Sequence, residues 1–179
     1  MSLPTIGLGI DGWTLRAWSE SDAPALAEHA DNANVWRNMS DRFPHPYTLA
    51  IAEHWVCRGH IEFGGDNWAI TLEDRAVGGC GIAQGVAQHH CNAEIGYWLA
   101  EPFWGRGVAT RVARVLVERA LANPEITRVL APIHADNAAS MRVAEKAGLV
   151  RESVQPQSAI KAGRAIDCVV YARYREPPP

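Results

Sequence analysis

The stretch that most constrains this chain is Phe103-Trp104-Gly105-Arg106-Gly107-Val108-Ala109-Thr110. A strand-like segment, Glu94 to Leu99, precedes it, and a strongly helical one, Val108 to Leu121, follows. Strand, glycine-rich turn and helix in that order gather backbone N–H groups at a helix N-terminus, where the macrodipole favours negative charge. Gly105 and Gly107 let the turn take positive φ and let a ligand approach the backbone, and Ala109 adds no bulk beside them. Arg106 supplies a guanidinium that can fork onto a phosphate. Taken alone, the pattern reads equally as a pyrophosphate cradle and as an ordinary tight turn. It is not Gly-x-x-x-x-Gly-Lys-Ser/Thr, which excludes a nucleoside-triphosphate loop. Nor is it Gly-x-Gly-x-x-Gly, because Thr110 stands where that pattern wants Gly or Ala.

Around this unit the chain alternates short strands and helices. Trp13 to Trp18 reads as a first strand, Ser19 to Asp22 offers helix caps, and Pro24 suits a first helical turn. A short helix runs to about Asp31, with a further turn over Asn34 to Met39. Prolines make Phe43-Pro44-His45-Pro46-Tyr47 a loop. Thr48 caps a helix to about His60, with Ile51, Trp55 and Val56 inward. Strands follow over Asn67–Leu72, Ala76–Val86 and Ala93–Leu99, the second thinned by Gly78, Gly79, Gly81 and Gly85. Those glycines mark either close packing or room for a ligand. Arg128–Ile133 reads as a buried strand and Ala138–Lys146 as a helix closed by Gly148. Leu149–Val154 and Ile166–Tyr174 read as a final antiparallel pair.

Three stretches carry a family resemblance. Glu94-Ile95-Gly96-Tyr97-Trp98-Leu99 with the turn is similar to the coenzyme motif of the GNAT superfamily of N-acetyltransferases, and most similar to its ribosomal-protein N-terminal alanine acetyltransferase branch. Gly107 and Ala109 fit the family's Gln/Arg-x-x-Gly-x-Gly/Ala loop, while Trp104 stands where Gln or Arg is usual. Asn137-Ala138-Ala139-Ser140 with Glu145-Lys146-Ala147-Gly148-Leu149 resembles the Asn-x-x-Ser/Ala helix ending in Glu-Lys-x-Gly-Phe. Gly163-Arg164-Ala165-Ile166-Asp167 with Tyr171 resembles the closing Gly-x-x-x-Asp-x-x-x-Tyr strand. With Leu15-Arg16, the likeness spans Trp13 to Arg175. It implies an α+β fold: a mixed, mostly antiparallel sheet flanked by helices, with a splayed parallel strand pair.

Composition sets the class. A length of 179 residues implies one domain, residues 1–179, with flexible ends at 1–12 and 176–179 and a disordered Pro177-Pro178-Pro179 tail. Hydrophobic content of 47% is ample for a core, and a net charge of −3 argues against a nucleic-acid surface. Cys57, Cys80, Cys91 and Cys168 form no Cys-x-x-Cys pair and read as free thiols. No apolar run approaches ~20 residues, so no membrane span is expected. With no signal-peptide pattern, a cytoplasmic protein is expected.

The resemblance implies acetyl-coenzyme A (acetyl-CoA) as co-substrate and no metal. It places the pyrophosphate on backbone N–H groups of Arg106, Gly107, Val108, Ala109 and Thr110, with Trp104 and Gly105 completing the turn. Tyr97, Trp98 and Leu99 would bond the pantetheine arm, and a backbone N–H among them would stabilise the oxyanion. Asn137 is a good N-cap, and the resemblance adds a coenzyme contact by Asn137 and Ser140. Many members carry a Tyr acid where this chain has Ala144, so Ser140, or a water it holds, becomes the acid that protonates sulfur. Glu94 is the candidate base, with His89, His90 and His134 as rivals; on a strand His89 and His90 would point opposite ways. Trp36 and Trp55 could line an acceptor pocket, though core packing is the default. The expected acceptor is a primary amine at a protein or peptide N-terminus. Acids near the presumed cleft, Asp41, Glu53, Glu62 and Asp66, are dispersed, and the Phe43–Tyr47 loop is aromatic. The alternatives are a small amine acceptor, or a catalytically silent acyl-CoA-binding module. A homodimer is allowed.

Overall fold

The structure, a computed structural model, describes residues 3–176, so the Pro177-Pro178-Pro179 tail lies outside the described residues. Among the described residues, eight strands form one sheet: β1 (Ile6–Gly7), β2 (Trp13–Ala17), β3 (Asp66–Leu72), β4 (Arg75–Gln84), β5 (Asn92–Leu99), β6 (Arg128–His134), β7 (Val150–Lys161) and β8 (Arg164–Tyr174), in the order β1-β2-β3-β4-β5-β6-β8-β7. The helices are α1 (Ala23–Ala30), α2 (Ala33–Trp36), α3 (Leu49–His54), α4 (His60–Glu62), α5 (Val108–Ala122) and α6 (Ala138–Lys146). No helix among the described residues is long and apolar enough to cross a membrane. The expected mixed α+β fold is present. β5 and β6 pair in parallel, whereas β1–β2, β2–β3, β6–β8 and β7–β8 are antiparallel. The parallel register covers Asn92↔Arg128, Ala93↔Val129 and Glu94↔Leu130, at the start of both strands.

The chain divides into two compact units, with the boundaries inside β4 after Gly81 and inside β5 after Gly96. The first unit comprises the chain up to Gly81 together with Tyr97–Ala109. Its leading segment, expected to be loose, contributes β1, which pairs with β2, and Leu8 is fully buried. Trp13 and Leu15 alternate inward along β2. Arg16 forks onto Asp22 at 2.7 and 2.8 Å, and Asp22 also accepts from the Ser19 N–H at 2.9 Å, which fixes the chain's entry into α1. The expected helix from Thr48 is interrupted: α3 passes into a π-helical turn over Trp55–Gly59 before α4. Trp18, Leu26, Tyr47, Val56 and Ala69 form an apolar cluster against which Phe43, Trp55 and Trp98 pack.

The glycines of β4 resolve in favour of close packing. A Cβ at Gly78 would lie 2.5 Å from the Trp98 carbonyl oxygen, one at Gly79 2.7 Å from the Trp98 indole nitrogen, and one at Gly81 2.6 Å from Asn67 Oδ1. The space that the glycines free is occupied by neighbouring protein atoms, so it holds no room for a ligand.

The second unit comprises Ile82–Gly96 together with the chain from Thr110 onward. α5 buries Val112, Ala113, Leu116, Val117 and Ala120, a stripe at helical spacing. β6 buries Val129, Ala131 and Ile133, one face of an alternating strand. The Arg175 guanidinium donates to the Leu121, Asn123 and Ile126 carbonyls at 2.6, 2.7 and 2.9 Å, tying the end of α5 to the end of β8. α6 has its expected limits, with Asn137 as N-cap and Gly148 at φ +89° behind it. β7 is longer than expected and carries Pro156; as the edge strand it tolerates a residue without an N–H, and its register shifts between Gln155 and Ala159.

The cysteines are free, with Cys80 and Cys168 buried and Cys57 exposed. Burial pushes the Cys80 thiol well above its ordinary range.

The contact at Gly78 yields a stability prediction. Gly78→Ala should destabilise the protein by about 1–3 kcal/mol through overpacking. The unfolded-state gain from replacing glycine, about 0.4–1 kcal/mol, offsets part of this. Urea unfolding should show a lower midpoint at unchanged slope; an unchanged midpoint would contradict the tight approach.

Candidate active site

In the first unit, Gly105 and Gly107 have φ of +76° and +79°, and a Cβ on either would meet nothing within 4 Å. The turn therefore needs glycine for its conformation and presents open backbone to the outside. It follows a short 3-10 turn, Glu101–Phe103, whose Glu101 carboxylate accepts from the side-chain amides of Asn32 at 2.8 Å and Asn34 at 3.0 Å. Those two hydrogen bonds, Asn32's first, hold the Glu101 carboxyl below its usual range. The Trp104 indole N–H donates to the Leu99 carbonyl at 2.6 Å. The Arg106 guanidinium donates to the Pro102 carbonyl at 3.0 Å and lies 5.5 Å from the Phe103 ring centroid. It is thus folded back along the segment that leads into the turn. Val108, Ala109 and Thr110 open α5, with Val108 buried.

Hydrogen bonds along β5 establish which way each backbone faces. The Asn92 carbonyl accepts from the Gly85 N–H and the Ala100 N–H donates to the Val77 carbonyl, both at 2.9 Å, so even-numbered residues address β4. The Cys91 carbonyl instead accepts from the Thr127 N–H at 2.9 Å, so odd-numbered residues address the opposite edge. Tyr97 and Leu99 share that edge. Trp98 does not: its carbonyl lies against Gly78, and its indole packs on Gly79 and 5.5 Å from Phe43. Trp98, expected to contact the pantetheine arm, packs on β4 and Phe43, because backbone direction alternates along a strand.

In the second unit, Asn137 Oδ1 accepts from the Ser140 N–H at 3.1 Å, so both residues sit in the first turn of α6. Ala144, in the position of the family's Tyr, is 1% exposed and belongs to the core.

The second unit also contains a cleft of about 410 Å³ whose lining includes Gln84, His89, Glu94, Arg128 and Gln155. Glu94 remains solvent-exposed along one side, yet partial burial among these walls pushes its carboxyl above the ordinary range. Of the rival bases, His89 shares this cleft. His90 turns its Nδ1 to the Ala87 carbonyl at 2.9 Å, and His134 ends β6. His89 and His90 lie at a 3-10 turn, Ala87–His89, rather than on the expected strand, so their divergence comes from that turn.

One feature of the cleft has no local sequence signal. Arg128 donates from Nε to Glu152 at 2.8 Å and from Nη2 to the other oxygen, and the Tyr174 hydroxyl bonds Glu152 as well. Arg128, then Tyr174, holds the Glu152 carboxyl down, while Glu152 raises both partners. Only the β6–β8–β7 register brings these three together. The tryptophans considered for an acceptor pocket divide: Trp55 packs on the core cluster, and Trp36 stacks on His45 at 5.4 Å. No group of three or more potential metal ligands occurs among the described residues.

Comparison with known proteins bears on both parts. The family model described as Acetyltransferase (GNAT) domain matches residues 13–150. The uncharacterized N-acetyltransferase YoaA of Bacillus subtilis (strain 168) is 32% identical over 92% of this chain and 94% of its own length. The ribosomal-protein-serine acetyltransferase of Escherichia coli (strain K12) is 31% identical over 89% of this chain and 90% of its own. Among solved structures, RimL, a ribosomal L7/L12 alpha-N-protein acetyltransferase in complex with coenzyme A, superposes with a TM-score of 0.80 at 23% identity, covering 96% of this chain and 98% of that one.

The raised Glu94 carboxyl has a signed consequence. Its folded state holds the proton more tightly than the unfolded state, so this group's contribution to stability falls as pH rises from the ordinary value of about 4.3 through the folded one. Glu94→Gln removes that fall. The stability of the variant relative to the parent should therefore increase with pH across this window, read from urea midpoints. The Glu94 carboxyl carbon should titrate above the ordinary value by NMR; a midpoint at or below it would contradict the assignment.

Proposed function

The chain belongs to the GNAT acetyltransferase family, and on that premise we propose that it moves the acetyl group of acetyl-CoA to the primary amine of a peptide or protein N-terminus by direct attack on the thioester. The observation that carries the reading is the open glycine turn at the head of α5, where nothing lies within 4 Å of either would-be Cβ at Gly105 and Gly107. A fifteen-residue helix behind the turn supplies the dipole, and the N–H groups of a helix's first turn have no partner within the helix, which is what a pyrophosphate needs. The peptide acceptor is supported by the Escherichia coli relative, named for a ribosomal-protein serine.

In this reading the pyrophosphate sits on the N–H groups of Arg106 to Thr110, and the Arg106 side chain exchanges its Pro102 carbonyl for phosphate oxygen. Tyr97 and Leu99 face the pantetheine arm, with the Leu99 carbonyl already committed to Trp104. An N–H on that edge stabilises the oxyanion. Glu94 takes the proton of the attacking ammonium, directly or through water; a carboxyl raised toward neutrality is better matched to that task. The neutral amine's nitrogen bonds the acetyl carbon, the carbon–sulfur bond breaks, and the thiolate takes a proton from Ser140 or its water, which regains one from the nitrogen as that nitrogen sheds its second proton to become an amide.

Two measurements test this. Gly107→Asp should weaken coenzyme A binding by calorimetry at least tenfold, about 1.4 kcal/mol. Gly107→Asn is the control: both residues tolerate positive φ, so the difference isolates the added charge. Equal affinities would remove the cradle. Next, kcat/KM for short peptides beginning with Ala, Ser or Met should exceed that for spermidine and an aminoglycoside by about tenfold or more. A small amine that beat every peptide would establish the alternative acceptor class. Coenzyme A binding without release in the presence of any amine would establish a silent binding module.

A further inference from the structure

We propose that Arg128 is a specificity-determining residue: it reads a second charge on the acceptor and favours an amine whose next residue carries an anionic side chain. The inference rests on the acetyltransferase reading of the Glu94 cleft, and it follows from register and charge within the second unit.

Glu94 and Arg128 line the same cleft. The pairing Asn92↔Arg128 and Glu94↔Leu130 places Arg128 one strand across and two residues back from Glu94. At ~3.3 Å per residue and ~4.8 Å between strands, their Cα atoms stand roughly 8 Å apart on one face. An ammonium at Glu94 therefore shares its cleft with the Arg128 side chain. In an extended peptide, the N-terminal nitrogen lies roughly 6–7 Å from a carboxylate on the second residue, so an acceptor whose ammonium meets Glu94 carries that carboxylate into the part of the cleft that Arg128 lines.

Arg128 is held rigidly. Glu152 engages Nε and Nη2, one side of the fork, and Tyr174 holds Glu152 in turn. Nη1 keeps its donors for a ligand. Glu152 weakens the field of Arg128 most on the side of the fork that it binds, and Nη1 lies on the other side. A second ammonium on the acceptor would meet this cation, and the cleft's other polar lining residues named above, Gln84, His89 and Gln155, bring no second carboxylate to offset it.

The test uses three peptides identical except at the second residue, Ser-Asp, Ser-Asn and Ser-Lys followed by the same neutral tail. Kd is measured on the full chain saturated with coenzyme A, alongside kcat/KM with acetyl-CoA. Both should rank Asp best and Lys worst, with about a 3- to 20-fold span, the scale of partly screened charge pairs. Arg128→Gln should bring the three Kd values together. Glu152→Gln, which releases Arg128 while keeping it, should widen the span, and it serves as the test if Arg128→Gln folds poorly. Three equal Kd values in the parent, or a span unchanged in either variant, would overturn the proposal. If the Kd ranking held while no peptide was acetylated, the charge reading would stand and the acetyltransferase reading of this cleft would fall.

Discussion

The close approach of two backbones at Gly78 organises the part of the first unit that leads into the glycine turn. The Trp98 carbonyl lies where a side chain at position 78 would begin. That contact, with the Ala100 N–H bonded to the Val77 carbonyl, holds the last residues of β5 against β4. The chain then has only a short 3-10 turn in which to leave the sheet, and the Trp104 indole closes it back onto Leu99. The glycine turn begins from a fixed point as a result. A cradle made of backbone N–H groups is only as well placed as the backbone leading into it, so packing in β4 becomes part of the proposed binding geometry.

Elements with local punctuation were legible in the sequence. α6 is bounded by Asn137, whose side chain caps it, and Gly148, whose positive φ ends it, and both devices act within one helical turn. The strand–turn–helix around Gly105 and Gly107 was legible for the same reason. What depends on distant pairing was not. The glycines of β4 admit two readings until it is known that Trp98 and Asn67 fill their space. The strand over 150–161 looked shorter because Pro156 is a poor strand residue, and only its place at the sheet edge removes the objection. The Arg128–Glu152–Tyr174 group joins three strands across 46 residues of sequence and leaves no local pattern.

The candidate site shows the same division. Residue types at the turn were readable, but side-chain posture was not: Arg106 rests on Pro102 and Phe103, where a bare cation finds a carbonyl and a ring face. Alternation along β5 separates Trp98 from Tyr97 and Leu99, a distinction that a run of three strand residues does not disclose without the pairing. Glu94 and His89, weighed as rivals from sequence, line one cleft, so each becomes part of the other's environment.

The position of Ala144 bears on how demanding the proposed chemistry is. A residue 1% exposed in the core leaves no space for a phenol without displacing its neighbours, so the chain has committed that position to packing. The acid it forgoes would protonate a thiolate whose conjugate thiol has a pKa near 8.5, which leaves without strong assistance. The harder requirement lies on the other side of the reaction. An amine near pKa 8, typical of a chain terminus, must lose its proton before it attacks, whereas a lysine-like amine near 10.4 must lose one held far more tightly. At neutral pH that difference is more than two powers of ten in reactive amine, about 3 kcal/mol. On the proposed reading, with Glu94 as base and no phenol at position 144, an α-amine asks less of the carboxyl than an alkyl amine does, and that preference comes from proton affinity alone, before any contact with the rest of the acceptor.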